Sequence, residues 1–250
     1  VIMAVSFDYT GFDVKGVLPT TDALGHAKDV HDFREKSKGL VAYSQNFAVA
    51  DSDGNAYYTS YQSVPCRKYL ERLPNGDWAP GADPNLLLDG TKYGGFSIPT
   101  TPDGLVDESF NETDPYRCAV PFEAMPAALN PTKGFVATAN NDPGAVATDG
   151  SLTDDPWYIG GPWDKGFRVD TISRELEKVI ADGTADADAM AKIQGNITSR
   201  TAELVATRLL ESIAKGRDLA SQPGPLSADD QRIADLYTTS PISFDEVEKR

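Results

Sequence analysis

The residues best equipped for chemistry lie in one stretch, from Asn130 to Pro143. Asn130-Pro131 and Lys133-Gly134 predict a turn, Phe135 to Ala139 a short apolar strand, and Asn140-Asn141-Asp142-Pro143 the corner where that strand stops. A strand that ends in carboxamides presents uncharged N–H donors beyond the edge of its sheet. Such donors suit a developing negative oxygen, as in the oxyanion hole of an acyl-transfer enzyme. Asn and Asp are also ordinary turn formers, because they tolerate left-handed backbone and bond their own main chain. On these residues alone both readings stand.

Other chemistry is thinner. The two histidines, His26 and His31, are five apart, which does not place them on one helix face as the i, i+4 pair of a zinc site would be; they read as surface or packing residues. The acidic run Asp51-Ser52-Asp53-Gly54-Asn55 has its glycine fourth rather than sixth and does not make an EF-hand loop. Cys66 and Cys118 are the only cysteines and neither sits in a C-x-x-C pair. They read either as one bridge formed in an oxidising compartment or as two buried thiols.

The elements that must position these groups divide into a β-rich first half and a helical second half, an α+β arrangement with parts at 1–167 and 168–250. Val1 to Val5 reads as a strand already in progress, and Asp13 to Pro19 as a loop. One helix is expected from Thr21 to Gly39. Leu40–Ala50 and Ala56–Tyr61 flank Asp53-Gly54 as a hairpin. Residues 64–120 are rich in Pro, Gly, Asn and Asp, and predict a long irregular excursion whose ends a Cys66–Cys118 bridge would clip together. Four helices follow: one with the apolar stripe Val169, Ile172, Leu176, Val179 and Ile180; then about 185–194; then about 198–215, with Ala202, Val205, Leu209, Leu210 and Ile213 on one side; and about 227–237, opened by a Ser-x-x-Asp cap at Ser227. With 250 residues, 40% of them hydrophobic, the chain can bury a sizeable core. A net charge of −15 leaves no basic stripe for phosphates, so neither nucleic acid nor an anionic membrane surface is an expected partner. No apolar run approaches the roughly 20 residues that span a bilayer.

Several blocks, in order, resemble the penicillin acylase family. They are Gln45 to Asp51 with Gly54-Asn55-Ala56-Tyr57-Tyr58; Asn130-Pro131-x-x-Gly134-Phe135 with Asn140-Asn141; Trp157-Tyr158-x-Gly160; Gly166-Phe167-Arg168 leading into a helix; and Ile193-Gln194-x-Asn196-x-x-Ser199. The resemblance covers about residues 1–215 and implies an N-terminal nucleophile hydrolase. Such enzymes are αββα sandwiches whose large subunit begins with a Ser, sometimes Thr or Cys, exposed by autoproteolysis of a precursor. The free α-amine serves as base while the side chain attacks an amide carbonyl to form an acyl-enzyme. The resemblance makes Asn140 the side-chain oxyanion donor. It makes Arg168 a positioning or electrostatic residue near the active site, with a carboxylate on the substrate or a plain ion pair at the helix start as its alternatives. It requires no cofactor for catalysis. Some members hold a structural calcium ion through a carboxylate of the loop before that arginine, where Asp154 and Asp155 fall, and they reside in the periplasm or are secreted.

The chain departs from the pattern at the nucleophile. The family's Ser-Asn-x-Trp opening is absent, Val1 has no nucleophilic side chain, and Gly150-Ser151 lies downstream of the oxyanion stretch. The Trp of the family's Asn-Trp-Asn is Ala139 here. The expectation is therefore an internal piece of the large subunit, inactive by itself, which acts with the small subunit and the nucleophile-bearing segment. Its substrate would be an acylated amide of the antibiotic, acyl-homoserine lactone or lipopeptide type. The competing expectation is an acylase-like binding or scaffold domain that has lost its chemistry.

Overall fold

The computed structural model of the chain describes residues 4–12, 16–42, 45–143 and 157–244. Contacts divide it into two compact units, Val1–Ala185 and Asp186–Arg250. This division falls after the first long helix, whereas the change from β-rich to helical sequence falls at 167/168.

In the first unit Ala4 to Tyr9 joins no strand, so the opening is not the strand expected from its apolar residues. The single helix expected from Thr21 to Gly39 is two: α1, Val17–Gly25, and α2, Val30–Ser37. α1 starts earlier than expected because Pro19 sits in its first turn, where a missing N–H costs nothing. The break between them is local chemistry. Asp29 accepts the backbone N–H groups of His31 and Asp32 and caps a new helix instead of continuing the old one. His26 and His31 both face solvent.

Strands β1, Gln45–Ala50, and β2, Ala56–Tyr61, pair antiparallel with Ala50 opposite Ala56. Asp51 organises their turn, accepting from the N–H groups of Asp53 and Asn55 and from the Asn55 side chain. The third strand is not Phe135–Ala139 but β3, Ala127–Leu129, which pairs with β2. Asn130 ends it, with φ at 47°, its N–H on Ala56 O and its side chain bonded to Ala56 N–H and Asn55. Phe135 to Thr138 joins no ladder, because the turn at Pro131–Gly134 carries it away from β2 and nothing else described lies alongside. The sheet is thus three strands in the order β1-β2-β3, and the described residues do not stack a second sheet on it. The fold is α+β.

Leu40, Tyr61, Val64, Val120, Phe122, Met125 and Ile159 form the core against this sheet. Leu40 and Val120, each 2% exposed, contribute roughly 1.5–3 kcal/mol apiece by burial. The excursion after Val64 has no helix beyond the 3-10 turn Glu108–Phe110, and it carries a small core of its own at Leu70, Ala79 and Ala82. Its two ends meet: Val120 N–H bonds Val64 O, Cys66 N–H bonds Cys118 O, and a disulfide joins Cys66 to Cys118. Helix α3, Phe167–Ala181, opens at Gly166, whose φ of 84° lets the chain swing into the helix.

In the second unit, α4 is Ala187–Gln194, α5 Arg200–Ser221 and α6 Ala228–Thr239; Asp186, Ser199 and Ser227 cap them. α5 packs on α6 through Ile213, Gly216 and Leu219, and a Cβ on Gly216 would press into the Tyr237 ring. The stripe expected along α5 is therefore covered only from Ile213 onward, while Val205, Leu209 and Leu210 stay about half exposed at 51%, 49% and 42%. Among the described residues no helix is long and apolar enough to cross a membrane.

Candidate functional site

After Phe135 to Thr138 the chain reaches Ala139, which is buried, and turns sharply at Asn140. Asn140 takes the left-handed conformation, φ 59°, which Asn tolerates better than any residue except Gly. The two adjacent carboxamides then have different duties. Asn141 Oδ1 accepts the Ala139 N–H at 3.0 Å and so closes the corner on itself. Asn140 projects to the surface.

Arg168, in the first turn of α3, reaches that corner. Its Nη2 donates to Ala139 O at 2.7 Å, to Asn140 Oδ1 at 2.9 Å and to Asp164 Oδ2 at 3.3 Å. A guanidinium can only donate. The oxygen of the Asn140 amide must therefore face Arg168, and the –NH₂ is turned the other way. Among the described residues Asn140 Nδ2 donates to nothing.

Asp164 ties the two segments together and was not a candidate from the sequence. Its N–H donates to Asn140 O at 2.9 Å, its Oδ1 accepts Gly166 N–H, and Asn141 and Asp164 form an isolated parallel bridge. The i, i+4 spacing of Asp164 and Arg168 beside Gly166 was the available signal. A single aspartate thus fixes the main chain of the corner, the start of α3 and one edge of the guanidinium.

A groove of about 140 Å³ runs beside the corner, lined by Tyr58, Ala128, Lys133, Phe135, Thr138 and Asn141 among others. Lys133 Nζ lies 4.6 Å from the Phe135 ring centre. Asp154 and Asp155 lie outside the described residues, and among the described residues no group of three or more His, Cys, Asp or Glu could hold a metal ion. Cys66 and Cys118, in their bridge, hold the excursion and take no part in this corner.

The arrangement can present one oriented, uncharged N–H donor next to a fixed positive charge, which is the chemistry an oxyanion demands. It holds no nucleophile and no base among the residues it brings together. No curated protein matches the chain. The family model described as penicillin amidase matches residues 4–237. With that match over nearly its whole length, the chain belongs to the penicillin amidase family of acylase-type hydrolases, which act on acylated amides.

Proposed function

We propose that this chain supplies the oxyanion-stabilising part of an N-acyl amide hydrolase that works through an acyl-enzyme. Asn140 Nδ2 donates to the oxygen of the tetrahedral intermediate, and Arg168 is the positioning residue that turns the amide so that Nδ2 is free. The observation that carries this is the Arg168–Asn140 Oδ1 bond of 2.9 Å, made by a group that cannot accept in return. The nucleophile, an N-terminal Ser by the family pattern, belongs to sequence outside this chain, as do the strands that would complete an αββα sandwich around β1, β2 and β3. By itself the chain is expected to turn over no amide.

The direct test is Asn140→Ala in the assembled acylase, assayed with phenylacetyl and long-chain acyl amides. Loss of one such donor costs about 2.7–4 kcal/mol, a fall in kcat of about 10²–10³. An unchanged kcat, or turnover by the isolated chain, sinks the proposal.

Two further parts of the reading follow the family rather than the corner. A periplasmic or secreted location is supported by the Cys66–Cys118 disulfide, which persists in oxidising compartments. A structural calcium ion held in part by Asp154 or Asp155 is supported by the hard carboxylate oxygens of that loop, the donors calcium takes. A chelator should then lower Tm and added calcium restore it. Equal melting with and without chelator removes the ion from the proposal.

A further inference from the structure

The segment leading into the corner is short of hydrogen bonds in a way the rest of the first unit is not. Between the turn closed by Gly134 N–H on Pro131 O and the Ala139 N–H held by Asn141, the backbone N–H and C=O groups of Phe135, Val136, Ala137 and Thr138 have no partner among the described residues. The run contains no helix, turn or bend. It is also not a free surface loop: Phe135 is buried and the other three are half-buried. Buried and half-buried backbone groups are paired in the great majority of folded proteins, so four consecutive residues without a bond describe an unfilled position.

The side chains agree. Phe, Val, Ala and Thr carry no charge, and there is no proline within the run. Protein edges that are meant to stay open are blunted with Lys, Pro or a bulge. Here the blunting residues, Pro131 and Lys133, sit before the run and leave the run itself able to pair. The groove along it, bounded on the far side by Tyr58 and Ala128, has a volume of about 140 Å³. That is several times the roughly 30 Å³ share of one water molecule and leaves room for an apolar side chain from a neighbouring strand.

We propose that Phe135–Thr138 is an edge that receives a β-strand from the nucleophile-bearing part of the acylase, and that this pairing carries Asn140 into the catalytic centre. The proposal rests on the reading above in one respect, that such a part exists outside this sequence. Main-chain bonds to 135–138 would fix the strand two residues before Asn140, and the Arg168–Asp164 clamp fixes the residues after it. The donor would then be located from both sides, one side by each polypeptide segment.

Amide hydrogen exchange of the assembled acylase, resolved over 135–138, tests it. Protection of at least 100-fold over the unstructured rate is expected. Exchange at the unstructured rate overturns the proposal. A photoreactive phenylalanine analogue placed at Val136 identifies the neighbour. A crosslink to the nucleophile-bearing segment is the expected product, whereas a crosslink within this chain or to a second copy of it overturns the assignment. Val136→Pro, which removes one N–H from the run, should abolish the protection of its neighbours; if they stay protected, the bonds are not those of a strand pair. These readouts are independent of the oxyanion role. Full activity in Asn140→Ala would end that role without changing them, and free exchange at 135–138 would end this inference while leaving the Asn140 result intact.

Discussion

Replacing Arg168 by Met separates two roles that a guanidinium near an active site can have. In the structure its Nη2 donates to Ala139 O at 2.7 Å and to Asn140 Oδ1 at 2.9 Å. A hydrogen bond from a charged donor is worth about 1.5–3 kcal/mol, but the side chain is 58% exposed, so solvent screening reduces each bond to about 1 kcal/mol. Two such bonds give about 2 kcal/mol of positional restraint on the donor, a fall in kcat of about 30-fold when they are lost. Because Arg168 acts through Asn140, the double variant Asn140→Ala, Arg168→Met should lose no more than the 10²–10³ of Asn140→Ala alone. The assay is steady-state hydrolysis of a chromogenic acyl anilide by the assembled acylase, with kcat and KM measured separately and Tm as the folding control. Losses that multiply in the double variant would show that Arg168 acts independently of the amide. A rise in KM with kcat unchanged would show that it binds the substrate's own carboxylate.

The other parts of the molecule make sharper statements about stability. Cys66 and Cys118 are 52 residues apart, and reducing the bridge or making Cys66→Ser with Cys118→Ser should cost about 2–4 kcal/mol, a drop in Tm of roughly 5–15 °C by calorimetry. Equal melting of the reduced and oxidised forms would mean the excursion is held by its own small core instead. Arg34, only 9% exposed, donates to Thr59 Oγ1 and Phe122 O and lies over the Phe122 ring; Arg34→Met leaves those acceptors bare and should destabilise by about 2–4 kcal/mol in urea unfolding. The Asp51 carboxyl is held below its ordinary range, first by the Asn55 side chain and then by backbone N–H groups. Its contribution is complete above the unfolded-state pKa of about 3.9 and fades as pH falls through the lower folded-state value, so Asp51→Asn should flatten the stability-versus-pH curve in that acid window.

How much of this was legible in the sequence depends on how local each interaction is. The hairpin around Asp53-Gly54 and the caps at Ser227 and Asp186 are decided by neighbouring residues, and the two irregular ends near Cys66 and Cys118 were recognisable from composition. The split of α1 from α2 is also local, but it turns on Asp29 capping better than it propagates, a competition that periodicity does not register. β3 could not be placed because pairing is decided by what lies alongside: Ala127–Leu129 meets β2, whereas the more strand-like Phe135–Thr138 meets nothing described. At the corner, Asn140 and Arg168 were nameable only through resemblance, because the bond joining them spans 28 residues. Asp164, which joins both segments, is an unremarkable acid in sequence and acquires its role only when the two segments meet.

The conformation of Asn140 supplies the means to decide between the turn and the donor. A left-handed residue costs roughly 1–2 kcal/mol for an ordinary side chain, less for Asn, and nothing for Gly. If Asn140 is there to make the turn, Asn140→Gly should be silent in activity and slightly stabilising. If it is there to donate, the same change relieves the backbone by up to about 1 kcal/mol and forfeits about as much in the lost bond to Arg168, leaving stability within about 1 kcal/mol of the starting value. Activity in the assembled acylase would nonetheless fall about 10²–10³-fold, as for Asn140→Ala. The two explanations thus agree on the fold and disagree by two orders of magnitude on the rate. A glycine variant with its turnover intact would make Asn140 a turn residue, and Arg168 an ion-pair partner for Asp164 and nothing more.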